Sequence, residues 1–192
     1  MIPSYSSYIR HFIFNRKSKK RPVPGEHHFV AAYLVPKLYS LHKTVPDYVN
    51  PDGTKGIFGD VVYFRDNKHH FGIEVKLDVI RLTKGEFNKW IVSPTGKRRP
   101  NIFLGVGRNG IALTTWQAFR RAYIAANRKR TPKWKAIRIE KGYGPMKNVD
   151  LLQRHLTDGE WFPFESDVRK EGKRESAFLT ALLTLMSSAL PL

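Results

Sequence analysis

"DVVYFRDNKHHFGIEVKLDV", residues 60–79, reads as two strands joined by a turn, and the second strand carries charge where core is expected. Asp60–Arg65 is the first strand, a loop around Asp66-Asn67-Lys68 reverses the chain, and Phe71–Val79 is the second. Apolar residues alternating with polar ones between turn formers are the signature of such a hairpin. Glu74 and Lys76 are two apart, so they share one face of their strand, with Val75 turned the other way toward the core. Charged side chains are rarely buried unless they are paired or bind something. One reading of these charges is a cross-strand salt bridge at a solvated sheet edge; the other is a site.

Toward the N-terminus, "GEHHFVAAYLVPKLYSL" places Glu26, Phe29, Val30, Tyr33 and Lys37 at helical spacing, so a helix starts near Glu26 and is kinked or ended by Pro36. "TVPDYVNPDGTKGIFGD" is turn-rich, with a short strand over Val45–Val49. After the hairpin, Thr83 caps a helix over "KGEFNKWIV", with Glu86 three residues on to complete a capping box. "NIFLGVG" and "GIALTT" form a second hairpin, and "TWQAFRRAYIAANRKR" is an amphipathic helix with Trp116, Phe119 and Tyr123 on one side. "GEWFPFESD" is a short aromatic strand or turn before a last helix. That helix, "AFLTALLTLMSSALPL", is apolar on two sides and shorter than the roughly 20 apolar residues of a membrane span, which makes it a buried helix and a candidate dimer contact. This order of elements belongs to an α/β layer with one mixed sheet. It divides the chain into a basic N-terminal arm (1–24), a core (25–141) and a C-terminal extension (142–192).

The chain has 34 Lys+Arg against 16 Asp+Glu, a net charge of +18, which attracts polyanions, nucleic acid first and an anionic membrane surface second. It has no cysteine, which excludes disulfides, thiolate nucleophiles and cysteine zinc sites. No continuous apolar stretch resembling a secretory signal opens it, so the expected location is cytoplasmic, or wherever the DNA is. Three clusters are positioned to neutralise phosphates: Lys19, Lys20 and Arg21 in the arm; Lys97, Arg98 and Arg99 in a loop; and Arg120, Arg121, Arg128, Lys129 and Arg130 along and after the amphipathic helix.

Other motifs lead away from chemistry. "GVGRNG" fits the G-x-G-x-x-G pattern of dinucleotide binding, but a strand follows it where a helix is required, and Asn109-Gly110 favours a tight turn. The pairs His27-His28 and His69-His70 are poorly arranged to hold one ion through both rings. No zinc-peptidase or esterase motif is present.

The carboxylates are better placed. Asp60 opens one strand, Glu74 lies on its neighbour, and Glu26 sits on the preceding helix. Carboxylates brought together repel unless a cation lies between them, and a hard oxygen donor set with few protein ligands suits Mg²⁺. A helix glutamate, Gly-Asp at a strand start, Glu-x-Lys on the next strand, then a crossover helix and strand, resembles the PD-(D/E)xK nuclease superfamily. That group includes type II restriction endonucleases and Holliday junction resolvases. The resemblance covers roughly residues 25–125 and implies a restriction-endonuclease-like core in αβββαβ order. It further implies a Mg²⁺-dependent endonuclease, with Mn²⁺ as substitute. Asp60, Glu74 and the Val75 carbonyl would be metal ligands, Lys76 the catalytic lysine, and Glu26 an outer carboxylate. The substrate would be branched or duplex DNA, RNA not being excluded, cut by a homodimer. The rival readings are a sequence-specific restriction-type enzyme and a non-catalytic basic nucleic-acid-binding protein.

Overall fold

The computed structural model describes residues 29, 33–34, 36–37, 61–65, 68–92, 100–128, 147–157, 159–165 and 167–189. Strand β1 (Val61–Arg65) pairs antiparallel with β2 (Lys68–Leu77), Val61 opposite Ile73, as the alternating pattern of 60–79 predicts. The second strand runs shorter at its end than expected. Asp78 takes φ +57, a conformation that Asp tolerates better than most side chains, and the chain leaves the sheet there. The Asp78 N–H donates to the Val106 carbonyl at 2.7 Å, and its own carbonyl accepts from the Val149 N–H at 2.9 Å. Val79–Ile80 (β3) then pairs with Lys147–Asn148 (β6) in a separate two-stranded sheet.

Thr83 caps the next helix as expected. Its N–H donates to Glu86 Oε2 at 2.6 Å, while the Glu86 N–H donates to Thr83 Oγ1 at 3.3 Å. The helix begins as α1 (Lys84–Glu86) and widens to π-helical geometry over Phe87–Val92. The crossover delivers β4 (Ile102–Val106) parallel to β2, the arrangement such a connection allows. Strand β5 (Gly110–Thr115) returns antiparallel to β4 and leads straight into α2 (Trp116–Arg128). Asn101 pins this corner: its N–H donates to the Gly72 carbonyl at 2.8 Å, and its carbonyl accepts from the Trp116 N–H at 2.9 Å.

A 3₁₀ helix (Val149–His155), strand β7 (Trp161–Pro163) and helix α3 (Val168–Ala189) complete the chain. Strand β7 pairs with β5, so the mixed sheet has five strands in the order β1-β2-β4-β5-β7. The segment expected as a C-terminal extension therefore contributes a strand and a covering helix to the same fold.

Side-chain alternation divides the interior in two. Ile73, Val75, Ile102, Leu104, Val106, Ile111 and Leu113 project to one face, where Phe178, Leu179, Leu182 and Met186 of α3 cover them together with Phe29, Tyr33 and Leu34. Phe103 and Ala112 project to the other, beneath α2, the helix of residues 84–92 and the 3₁₀ helix. Aromatic rings fill that second layer: Phe103 stacks on Phe119 at 3.8 Å, and Trp90 meets Trp116 edge-on at 5.1 Å. In the N-terminal helix Tyr33 and Leu34 are π-helical ahead of Pro36, which is itself helical along with Lys37. The helix therefore does not stop at the residue before Pro36. The expected strand over Val45–Val49 lies outside the described residues.

Candidate functional site

Strand β2 lies inside the sheet, between β1 and β4, and its odd positions Ile73 and Val75 belong to the α3-side core. By alternation Glu74 and Lys76 project to the α2 side, opposite Phe103 and Gly105 of β4. Neither is at a solvated edge. Glu74 is 4% exposed and Lys76 2%, and Lys76 Nζ donates to Glu74 Oε1. The expected cross-strand bridge at a solvated edge is thus corrected on both counts: this is an interior ion pair within one strand, and that strand is flanked on both sides.

Gly105 leaves this region to its neighbours. A Cβ there would meet Phe103 Cε1 at 2.8 Å and Val149 Cγ1 at 3.0 Å, so its lack of a side chain lets the Phe103 ring and Val149 close in beside Lys76's strand partner. Val75 is fully buried on the opposite face and offers this side only backbone.

Glu26 and Asp60 lie outside the described residues. Val61, which follows Asp60, pairs with Ile73, which precedes Glu74. Among the described residues no group of three His, Asp or Glu side chains is arranged to hold a metal ion. Of the three expected carboxylates only Glu74 is among the described residues, and it offers a buried oxygen of the kind a hard cation takes; a fuller donor set at this place requires residues beyond those described.

Of the residues expected to meet phosphates, Lys19, Lys20, Arg21, Lys97, Arg98, Arg99, Lys129 and Arg130 also lie outside the described residues, and Arg128 closes α2. Arg120 is half-buried and its Nε donates to the Ile91 carbonyl at 2.8 Å, which fastens α2 to the preceding helix. Arg121 is exposed beside Glu160. Burial pushes the Glu160 carboxyl up, but hydrogen bonds from the Thr157 N–H and hydroxyl and from Thr114 Oγ1, with Arg121 nearby, outweigh it. The result lies below the ordinary glutamate value.

The "GVGRNG" stretch is the turn of the β4–β5 hairpin, with the Gly107 N–H donating to the Gly110 carbonyl at 2.8 Å. Around it lies a polar clamp that sequence reasoning missed. Asp150 accepts from the backbone N–H groups of Arg108 at 3.2 Å and Asn109 at 3.1 Å. The Arg108 guanidinium holds the two oxygens of Asp78, each at 3.1 Å, and this pairing raises its own pKa further above the ordinary arginine value. The partners are separated by 30 to 42 positions, so no local signal marks them.

Comparisons with protein-family models, with curated proteins and with solved structures give no match for this chain. What the fold defines is an α/β protein with helices on both faces of a mixed sheet. Among the described residues, no helix is long and apolar enough to cross a membrane.

Proposed function

We propose that this chain is a metal-dependent endonuclease that hydrolyses phosphodiester bonds in branched or duplex DNA, built on a restriction-endonuclease-like core. The observation that carries the reading is the Glu74–Lys76 pair, two charges held in the interior of a sheet face that its neighbours fill with carbon. Replacing such a pair with apolar residues is often neutral or stabilising, so retention of charge asks for a reason beyond stability. Ionisable groups buried beside a charge partner concentrate at functional sites.

On this reading Glu74 supplies one carboxylate to a Mg²⁺ or Mn²⁺ ion, and Asp60 and Glu26 complete the set together with the Val75 carbonyl. Support comes from the strand register, since the residue after Asp60 pairs with the residue before Glu74. The ion, when bound, supplies Lewis-acid activation of the phosphate. Lys76 contributes a fixed positive charge where negative charge develops on the scissile phosphate, and the low-dielectric surroundings strengthen it. The parallel crossover from β2 to β4 through a helix is the connection the superfamily resemblance implies. Cutting both strands would use two copies of the chain, which twofold symmetry provides; the cytoplasm is the compartment this reading assigns.

One observation favours a second reading. Glu74 and Lys76 are bonded to each other and almost closed to solvent, as a purely structural ion pair would be in a basic nucleic-acid-binding protein without catalysis. Incubating the purified chain with plasmid and a synthetic four-way junction, with Mg²⁺ or Mn²⁺, separates the two. Cleavage that falls by about 10²–10³-fold in Glu74→Gln and Lys76→Met is the expected outcome, the size expected for loss of one charge-stabilising group. No cutting by the parent chain, or equal cutting by the variants, removes the catalytic reading.

A further inference from the structure

Helix α3 separates its charges by side. Its two carboxylates turn inward: Glu171 is buried, and Glu175 Oε1 accepts from the Tyr33 hydroxyl at 2.6 Å and lies 2.9 Å from Lys37 Nζ. Its cations turn outward. Arg169, Lys170, Lys173 and Arg174 are all exposed, and at about 100° per residue they occupy one arc of the helix surface. Arg174 is partly occupied by Glu165 at 3.4 Å, and the Asp167 carboxylate accepts from the Arg169 backbone N–H at 2.8 Å. Arg169, Lys170 and Lys173 enter no ion pair among the described residues.

These charges are badly placed for the helix itself. They crowd its first two turns, the positive end of the helix dipole, where cations destabilise and carboxylates would help. A polyanion laid along the face reverses that penalty. The apolar stripe that a membrane-surface helix would insert, Phe178, Leu179, Leu182 and Met186, is already committed to the core. The outer face beyond Arg174 continues with Ser176, Thr180, Thr184, Ser187 and Ser188, which offer a lipid nothing to hold.

We propose that the outer face of α3, through Arg169, Lys170, Lys173 and Arg174, binds the phosphate backbone of duplex DNA without reading its sequence. The proposal rests on the nucleic-acid part of the function proposed above and is separate from cleavage. Helix α3 covers the sheet face opposite to the one carrying Glu74 and Lys76. The contact therefore serves a stretch of duplex other than the one at those residues.

The test is fluorescence anisotropy of a labelled duplex with the full chain in EDTA, repeated over a series of salt concentrations. The triple variant Arg169→Gln, Lys170→Gln, Lys173→Gln should weaken binding and flatten the slope of log K against log salt by about 2–3, since each neutralised phosphate contributes about 0.9. The charge-preserving triple Arg169→Lys, Lys170→Arg, Lys173→Arg should keep the parent slope, and circular dichroism of both checks that the helix is intact. An unchanged slope in the glutamine triple overturns the proposal, as does absence of DNA binding by the parent chain. Loss of binding to phosphatidylserine vesicles with DNA binding untouched overturns it in favour of a membrane. Because EDTA removes cleavage from the readout, failure of the endonuclease reading and failure of this contact are distinguishable.

Discussion

Glu74 and Lys76 put two opposite charges on a sheet face that Phe103 and Ala112 continue in carbon. Each ion gives up several kcal/mol of hydration to be there, and their mutual attraction returns only part of it. The energetics therefore differ sharply between breaking the pair and replacing it. Glu74→Leu alone leaves an ammonium in the interior and should cost about 3–5 kcal/mol, as should Lys76→Met alone. The double substitution Glu74→Leu with Lys76→Met should be close to neutral or better. Urea unfolding of the four proteins measures this cycle directly. A double variant as unstable as either single would mean that the charges hold the fold together, which weakens the functional reading. A stable double variant that no longer cuts DNA separates function from folding at these two residues.

At the scale of elements, what the sequence made legible was local. The Thr83–Glu86 capping box, the second hairpin and the amphipathic α2 each declare themselves within a few residues and form as read, but the hairpin turns on Arg108-Asn109, one residue before the expected Asn109-Gly110, because Gly110 already belongs to β5. The end of β2 was misplaced because Asp78 answers to distant partners, Val106, Arg108 and Val149, that no window of the sequence contains. The same holds for the hairpin turn. Its glycines were correctly separated from dinucleotide binding, but the reason Gly107 is glycine is remote: a Cβ there would lie 2.1 Å from Asp150 Oδ1. Gly107→Ala should push Asp150 away from the Arg108 and Asn109 N–H groups and cost about 1–3 kcal/mol, the usual penalty for unsatisfied partners. Asp150→Ala should cost a similar amount in a thermal melt, and the two together should cost clearly less than their sum. Additive losses would show that the clamp is not what Gly107 makes room for.

Across the whole molecule, the two charges of the candidate site were visible in the sequence, but their burial was not, because it depends on partners far away in the chain, among them Phe103 and Gly105 of β4. The role of the last 50 or so residues was hidden for the same reason. Strand β7 joins the sheet through β5, and α3 meets β2, β5 and β7, although nothing near Trp161 or Phe178 in sequence announces those partners. The apolar sides of α3 invited a reading as a dimer contact. In the structure Phe178, Leu182 and Met186 are buried against the chain's own sheet, and that assignment has a measurable consequence. Leu182 is fully buried, so Leu182→Ala should lose about 2–5 kcal/mol, the range for a core leucine that leaves a cavity. If its contacts are intramolecular, the loss caused by Leu182→Ala should be the same at every protein concentration, since only stability that comes from association follows mass action. A loss that shrinks as the chain is concentrated would place Leu182 between two copies instead. The outer face of α3 does not enter that balance, because its cations project away from the core that Leu182 fills.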